Sequence, residues 1–179
     1  MPFQKLKDEA DKQETSDLLK EEYEAARRER RAKLIRDCQD DFAEVFGNAK
    51  FVMSPEADRS VLATYKELTI GLQWPSLDEC PRDAFFRFSI VKNSAATADL
   101  IVADLVPDKG GKTIPQDMES RASISTVSQL RAAIGMVRNA PLSFSIIRHF
   151  HPKTTIGDQP GEKSYETFKS ALGAIAAVI

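Results

Sequence analysis

The chain has little of what most chemical sites are built from. Its 179 residues include two cysteines, Cys38 and Cys80, and two histidines, His149 and His151. Two cysteines at this separation match neither a zinc-ligand spacing nor a disulfide framework, which favours reduced thiols. The sequence contains no Gly-x-Ser-x-Gly elbow and no His-Glu-x-x-His motif. It therefore identifies no reaction, and it predicts no metal site and no cofactor.

The chain also lacks a long apolar run. No stretch approaches the ~18 apolar residues needed to cross a bilayer, and residues 1–5 carry no apolar signal core. We therefore expect a cytoplasmic protein without a membrane partner. Hydrophobic residues make up 42% of the chain and charged residues 29%, values that indicate a globular rather than a disordered protein. The formal net charge of −2 gives no overall attraction for nucleic acid, which would need a local patch.

The most informative feature is a long charged stretch in which the charges are sorted by sign. Residues 8–24 hold eight acids and two lysines, whereas residues 27–36 hold six bases and one glutamate. A dense apolar stripe is present only between Leu34 and Phe46. The pattern predicts one long helix that ends near Gly47. Its polar part has no core of its own, so it must reach solvent, a partner or a polymer.

The rest of the chain predicts an α+β fold. Alternating apolar residues predict strands over 62–74, 86–90 and 142–150, and a nearly continuous apolar run predicts a more central strand over 100–106. A capping box at Thr126 and Gln129 predicts one helix, and three–four spacing predicts a last helix from about Ser164. The expected order is α-β-β-β-α-β-α, with an antiparallel sheet of about four strands. Phe51 and Met53 begin a shorter candidate strand that Pro55 would interrupt.

We expect two regions. Residues 1–33 form a charged helical extension, and residues 34–179 form a single α+β domain. The seam of Ile35, Cys38, Phe42 and Val45 steps by three and four residues, so it should dock the end of the helix on that domain.

Two local patterns suggest chemistry but favour ordinary structure. The loop from Pro107 to Arg121 contains Gly111-Lys112-Thr113, the tail of a phosphate-binding loop, but Val106 stands where that motif needs its first glycine. A surface turn is the better interpretation. His149 and His151 would share one face of a strand, a spacing that can hold a metal or support acid–base chemistry. Because no third ligand or carboxylate partner is evident, we favour strand-edge residues that face solvent.

The basic cluster after the acids allows three interpretations: a solvated helix face, electrostatic pairing with protein, or binding to nucleic acid. The leading hypothesis is a non-enzymatic protein–protein interaction or assembly protein that uses the charged helix to oligomerise or to dock on a larger partner. Two copies lying antiparallel would set acids against bases. The alternative is a nucleic-acid-associated regulator, and a further alternative is an enzyme with a site near His149 and His151. The predicted partner-binding residues are Arg27, Arg28, Arg30, Arg31, Lys33 and Arg36.

Overall fold

A computed structural model describes residues 2–78, 84–93, 95, 97–106, 126–150 and 164–178. Within these residues the elements follow the order α-β-β-β-β-β-α-β-α. They are α1 (Pro2–Asn48), β1 (Val52–Ala57), β2 (Ser60–Tyr65), β3 (Leu68–Gln73), β4 (Phe86–Lys92), β5 (Ala98–Leu105), α2 (Val127–Asn139), β6 (Leu142–Phe150) and α3 (Phe168–Ala176). Cys80, His151 and the predicted loop from Pro107 to Arg121 lie outside the described residues.

The six described strands form one antiparallel sheet in the order β1-β2-β3-β4-β5-β6. Each strand therefore pairs with its neighbour in the sequence. The short connections within β1–β3 and between β4 and β5 leave no room for crossover helices, whereas β5 and β6 pair antiparallel although α2 lies between them. The predicted α+β fold, with a long first helix and two further helices, is confirmed. The predicted count of about four strands is wrong, because the sheet has six.

The missed hairpin lies in residues 62–74, which were predicted as one strand. The structure divides them into β2 and β3, joined at Lys66 and Glu67, and Lys66 adopts a left-handed φ of 55°, a conformation that an ordinary side chain adopts at some cost. Neither residue is Gly, Asn or Pro, so no usual turn residue marks the break. Across the two-residue connection the core-facing positions change from odd numbers, as at Ala63, to even numbers, as at Ile70 and Leu72. Because Val61, Leu62 and Ala63 are all apolar, the sequence of β2 does not show this change.

The other difference concerns β1, where the sequence predicts a short strand that Pro55 would interrupt. Pro55 instead pairs with Val61 of β2, and the register shifts between Pro55 and Ala57. β1 lies at the edge of the sheet, where the outward side of the strand needs no N–H donor. A proline is therefore tolerated here, although it would interrupt a central strand.

The main core lies between one face of the sheet and the helices α1 and α3. From α1 it includes Leu34, Ile35, Cys38, Phe42 and Phe46, so the predicted docking seam is confirmed, with Val45 half-buried beside it. From α3 it includes Phe168, Ala171, Leu172 and Ile175. The sheet contributes a row that runs across the strands, including Ala63, Ile70, Leu72, Phe88, Ile90, Ile101 and Ile146. A smaller cluster of Ala84, Leu100, Val102, Ile147 and Phe150 forms separately.

The two later helices begin with side-chain caps. The Thr126 side chain accepts a hydrogen bond from the Gln129 backbone N–H, and the Gln129 side chain accepts one from the Thr126 N–H, which confirms the predicted capping box. α3 starts at Phe168, after the N-cap Thr167, rather than near Ser164. The reason is that Tyr165 still pairs with Phe144 of β6 through two backbone hydrogen bonds of 2.7 and 2.8 Å.

Candidate functional site

The long helix α1 has two parts that differ in their surroundings. Its 47 residues extend over about 70 Å at 1.5 Å per residue. Every residue from Phe3 to Leu18 is exposed except the half-buried Ser16, and we call residues 3–18 the projecting segment. From Ala26 onward one side of the helix is buried against the body of the protein. α1 runs without a break across the predicted domain boundary at residues 33 and 34.

Arg31 anchors the second part of α1. Its side chain is only 1% exposed. The guanidinium group donates to the carbonyl oxygen of Phe85 at 3.0 and 2.8 Å and to that of Leu77 at 3.1 Å. It also lies over the rings of Phe85 and Phe86, at 5.3 and 5.6 Å from their centroids. A buried guanidinium group is costly unless its donors find acceptors, and these contacts provide them.

Arg30 joins α1 to the end of α2. Its guanidinium group donates to the carbonyl oxygens of Val137 and Ala140, where α2 ends. These carbonyls carry the negative end of the helix dipole, so a cation there is stabilising. An exposed ion pair between Glu22 and Arg138, with 3.0 Å between Oε1 and Nη1, extends the same contact between α1 and α2.

The predicted basic cluster is therefore divided between the inside and the outside of the molecule. Arg27, Arg30 and Arg31 have contacts within the chain, and Arg27 lies over the Tyr23 ring at 5.4 Å. Arg28 is exposed and pairs with Asp78, with 2.6 Å between Nη2 and Oδ1. Lys33 and Arg36 are exposed. The prediction that these six residues bind a partner stays a prediction, and two of them, Arg30 and Arg31, have a second role in holding α1 on the body.

The projecting segment presents apolar side chains that sequence reasoning missed. Phe3 is 78% exposed, and Leu6 and Leu18 are each 61% exposed. At ~100° per residue, these three side chains fall within an arc of about 120° around the helix axis. Around the helix axis, the centre of that arc is about 140° from Ala26 and about 140° from Leu34. In the sequence, only the spacing of residues 3, 6 and 18 indicates this apolar arc, and the many charged residues between them make the pattern hard to recognise. We call this arc the outer stripe.

Local contacts support helix formation in the projecting segment. Gln4 donates to Asp8 at 3.2 Å, and Gln13 donates to Asp17 at 3.0 and 3.1 Å. Each side-chain pair four residues apart stabilises an exposed helix by roughly 0.2–0.5 kcal/mol. The hydrogen bonds from Gln13 and from Lys20 lower the pKa of Asp17. The segment is therefore a helix whose stability comes from its own side chains rather than from a core.

A second candidate site is an open cleft of about 770 Å³ at one end of the sheet. We call it the end cleft. It lies beside the β4–β5 turn, the end of β6 and the last turn of α3. Its lining comprises Ile90, Lys92, Asn93, Ala95, Thr97, Asp99, Arg148, His149, Ile175 and Val178.

A β-bulge shapes one wall of the end cleft. Ala98 pairs with Phe150 and Leu100 pairs with Ile147, so Asp99 faces both Arg148 and His149. His149 has a φ of 52°. The carboxylate of Asp99 accepts the backbone N–H of His149 at 2.9 Å and an Arg148 N–H at 3.1 Å. Arg148 also donates to the carbonyl oxygen of Ala174 at 3.0 Å, which ties the bulge to α3.

These contacts bear on the predicted enzymatic alternative. Asp99 contacts the backbone of His149 and not its imidazole, so the structure places no acid–base pair there among the described residues. In the same residues no three His, Cys, Asp or Glu side chains gather in a way that could hold a metal ion. Burial, with smaller contributions from Asp41 and Asp37, raises the pKa of the Cys38 thiol, which keeps it protonated and unreactive.

Comparison with protein-family models, with curated proteins and with solved structures finds no match for this chain. Within the described part of the chain, none of the helices combines the length and the apolar character that crossing a membrane requires. Function is therefore inferred from the two surfaces themselves.

Proposed function

We propose that this chain is a non-enzymatic assembly protein that pairs with a second copy of itself through the projecting segment. The observation that carries the proposal is the outer stripe, in which Phe3, Leu6 and Leu18 are each more than half exposed on one side of the helix. Large apolar side chains grouped on a surface typically mark an interaction site. The contacts of Arg30 and Arg31 hold the rest of α1 on the body, so the segment is presented from a fixed base.

The charges along the outer stripe favour an antiparallel arrangement. Between residues 3 and 21, three acids lie within this ~120° arc, namely Glu14, Asp17 and Glu21. If the two helices were parallel and in register, each acid would lie beside the same acid of the second copy, and this repulsion between like charges is destabilising. An antiparallel pair centred on Lys12 sets Leu6 against Leu18 and Lys7 against Asp17, while Glu14 meets Ala10 and Glu21 lies level with Phe3. This register replaces the predicted pairing of acids with the Arg27–Arg36 cluster, because much of that cluster contacts the body.

The expected dimer is reversible. The three side chains of each copy expose on the order of 100 Å² apiece. If pairing removes half of the combined area from water, the gain is about 7 kcal/mol at about 25 cal/mol per Å². Association costs at least about 4 kcal/mol. The difference corresponds to a dissociation constant on the order of a millimolar, which the two ion pairs between Lys7 and Asp17 would tighten.

Cysteine cross-linking tests the arrangement. On a Cys80→Ser background, the double variant Leu6→Cys/Leu18→Cys should form a disulfide-linked dimer, because residue 6 of one copy faces residue 18 of the other. The single variant Leu6→Cys should not cross-link. In the antiparallel register its two copies lie about 18 Å apart, far beyond the ~7 Å that a disulfide spans. A dimer formed by the single variant at the same rate would instead indicate parallel helices.

A mass measurement tests self-association itself. Sedimentation of the full chain over a wide range of concentrations should show reversible dimer formation that Leu6→Glu/Leu18→Glu abolishes. Val52→Glu is the matched control, because Val52 is equally exposed but lies on β1. A chain that stays monomeric at every concentration, or a dimer that the double variant leaves intact, would refute the proposal. Nucleic acid is the weaker alternative partner, because Arg27, Arg30 and Arg31 have contacts within the chain.

A further inference from the structure

The acidic side chains beside the outer stripe bear on how the proposed self-association is controlled. We propose that pairing of the two helices is coupled to proton uptake at Glu21, so that the dimer becomes tighter as the pH falls. This coupling rests on the proposed function, because it concerns the same surface and the same antiparallel register. It follows from the charges that the register brings together and from the position of Glu21 relative to Phe3.

Each copy brings an excess of negative charge to the interface. Between residues 3 and 21, the arc contains three acids, Glu14, Asp17 and Glu21, and one base, Lys7. Each helix therefore presents a net charge of −2 from this arc, and bringing two such surfaces together is unfavourable while every acid is ionised. Protonation of a carboxyl group in the arc removes part of this repulsion, so the paired helices should bind protons more strongly than the single chain.

Asp17 is the acid of the arc that is least suited to take up a proton. Its carboxylate accepts hydrogen bonds from Gln13 at 3.0 and 3.1 Å and from Lys20 at 3.0 Å. These hydrogen bonds lower the pKa of Asp17. In the antiparallel register, Lys7 of the second copy also lies level with Asp17. The ionised form of Asp17 is therefore stabilised from both sides of the interface.

Glu21 has the opposite surroundings. The residues three and four positions away on its helix are acidic or apolar, namely Asp17, Leu18, Glu24 and Ala25. Glu21 is exposed in the single chain, whereas in the antiparallel register it lies level with the ring of Phe3 from the second copy. Covering a carboxyl group with an aromatic ring and surrounding it with other acids both favour the protonated form.

The bases around this part of α1 have other partners. Four of them pair with acids other than Glu21: Lys20 with Asp17, Arg27 with Glu24, Arg28 with Asp78 and Arg138 of α2 with Glu22. In the second copy, Lys7 lies about one turn away from the level of Glu21 and faces Asp17. Among the described residues, each of these bases therefore has a nearer acid than Glu21, and pairing of the helices should increase proton binding at Glu21.

Sedimentation of the full chain at two pH values and constant ionic strength tests the coupling. The dissociation constant of the dimer should fall at least about tenfold between about pH 7 and about pH 4.5, the range in which glutamate side chains begin to take up protons. Two Glu21 side chains contribute to each dimer, so an effect of about threefold at each is sufficient. Leu6→Gln/Leu18→Gln adds no titrating group and should stay monomeric at both pH values. This variant shows whether a lower net charge alone causes association.

Two matched substitutions test the assignment to Glu21. Glu21→Gln removes the charge permanently, so at about pH 7 it should tighten the dimer at least about fivefold and weaken the dependence on pH. Glu9→Gln makes the same change about 120° away around the helix and should alter the dissociation constant less than about twofold.

The outcomes separate this coupling from self-association itself. A dimer with the same dissociation constant at both pH values, or a Glu21→Gln variant that behaves like Glu9→Gln, would overturn the coupling and leave the self-association in place. Association of Leu6→Gln/Leu18→Gln at the lower pH to the same extent as the original chain would also overturn it. A chain that stays monomeric at both pH values would refute the self-association and the coupling together.

Discussion

Replacing Arg31 should destabilise the whole protein, because this one side chain joins α1 to the segment that precedes β4. Arg31→Ala would remove three hydrogen bonds, at 2.8–3.1 Å, to the carbonyls of Phe85 and Leu77. Each buried carbonyl left without a donor costs roughly 1–3 kcal/mol. Loss of the stacking on Phe85 and Phe86 adds about 1 kcal/mol, and removing a buried charge offsets part of the total. We expect a loss of about 3–5 kcal/mol.

Urea denaturation followed by circular dichroism measures this loss as the change in the free energy of unfolding. Arg31→Met keeps the apolar volume and removes the charge, so it should cost less than Arg31→Ala. Arg31→Lys keeps the charge but cannot reproduce the paired geometry to Phe85, so it should also destabilise. Arg36→Ala, which changes an exposed arginine on the same helix, should cost less than about 0.5 kcal/mol. If Arg31→Ala costs no more than Arg36→Ala, the reasoning that Arg31 anchors α1 is refuted.

Two further substitutions have expected outcomes. Thr126→Ala should lower the free energy of unfolding by about 1 kcal/mol, because it removes the acceptor that caps α2. Thr126→Ser keeps the hydroxyl group and should lose less than half of that free energy. Equal losses for the two variants would contradict the role of the hydroxyl group. Burial raises the pKa of Asp104 from its ordinary value of 3.8, against a hydrogen bond from the Phe85 backbone that lowers it. The folded state therefore disfavours the ionised form, so stability should fall as the pH rises from 3.8 through the higher pKa of the folded state. Asp104→Asn should flatten this dependence and the exposed Asp40→Asn should not, as urea denaturation at a series of pH values would show.

Much of the fold could be predicted from sequence because local signals and tertiary packing agreed. The capping box at Thr126 and the seam at Ile35, Cys38 and Phe42 were both found where expected. The predictions were wrong where the usual turn residues are absent from a turn, or where a strand continues through a proline. The turn at Lys66 lacks turn residues, and Pro55 is tolerated only because β1 lies at the sheet edge. Edge position is a tertiary property that a single sequence does not contain.

The candidate sites were less predictable than the fold. The sequence showed that Arg27–Arg36 is basic, but the inward direction of Arg30 and Arg31 depends on carbonyls that are distant in the chain, at Val137 and Phe85. The periodicity of apolar residues in a sequence indicates which side of a helix is apolar, but it does not indicate that an arginine is buried. The end cleft was equally hidden, since it forms where the β4–β5 turn meets the last turn of α3. The sequence points to His149 as one of two histidines, but the bulge at that position depends on pairing with Asp99 of β5, which the local sequence does not specify.

The sequential order of the sheet has a consequence for how the protein is made. Neighbouring strands can join one after another as the polypeptide emerges, and short-range pairings of this kind form quickly. α1 has the opposite requirement, because Phe42 and Phe46 share a core with Leu172, which is synthesised about 130 residues later. Until α3 leaves the ribosome, the apolar face of α1 cannot pack against all of the core residues that cover it in the folded protein. Nascent chains should therefore be most vulnerable to chaperone capture and aggregation before α3 has been synthesised, at a stage when most of the sheet has already formed.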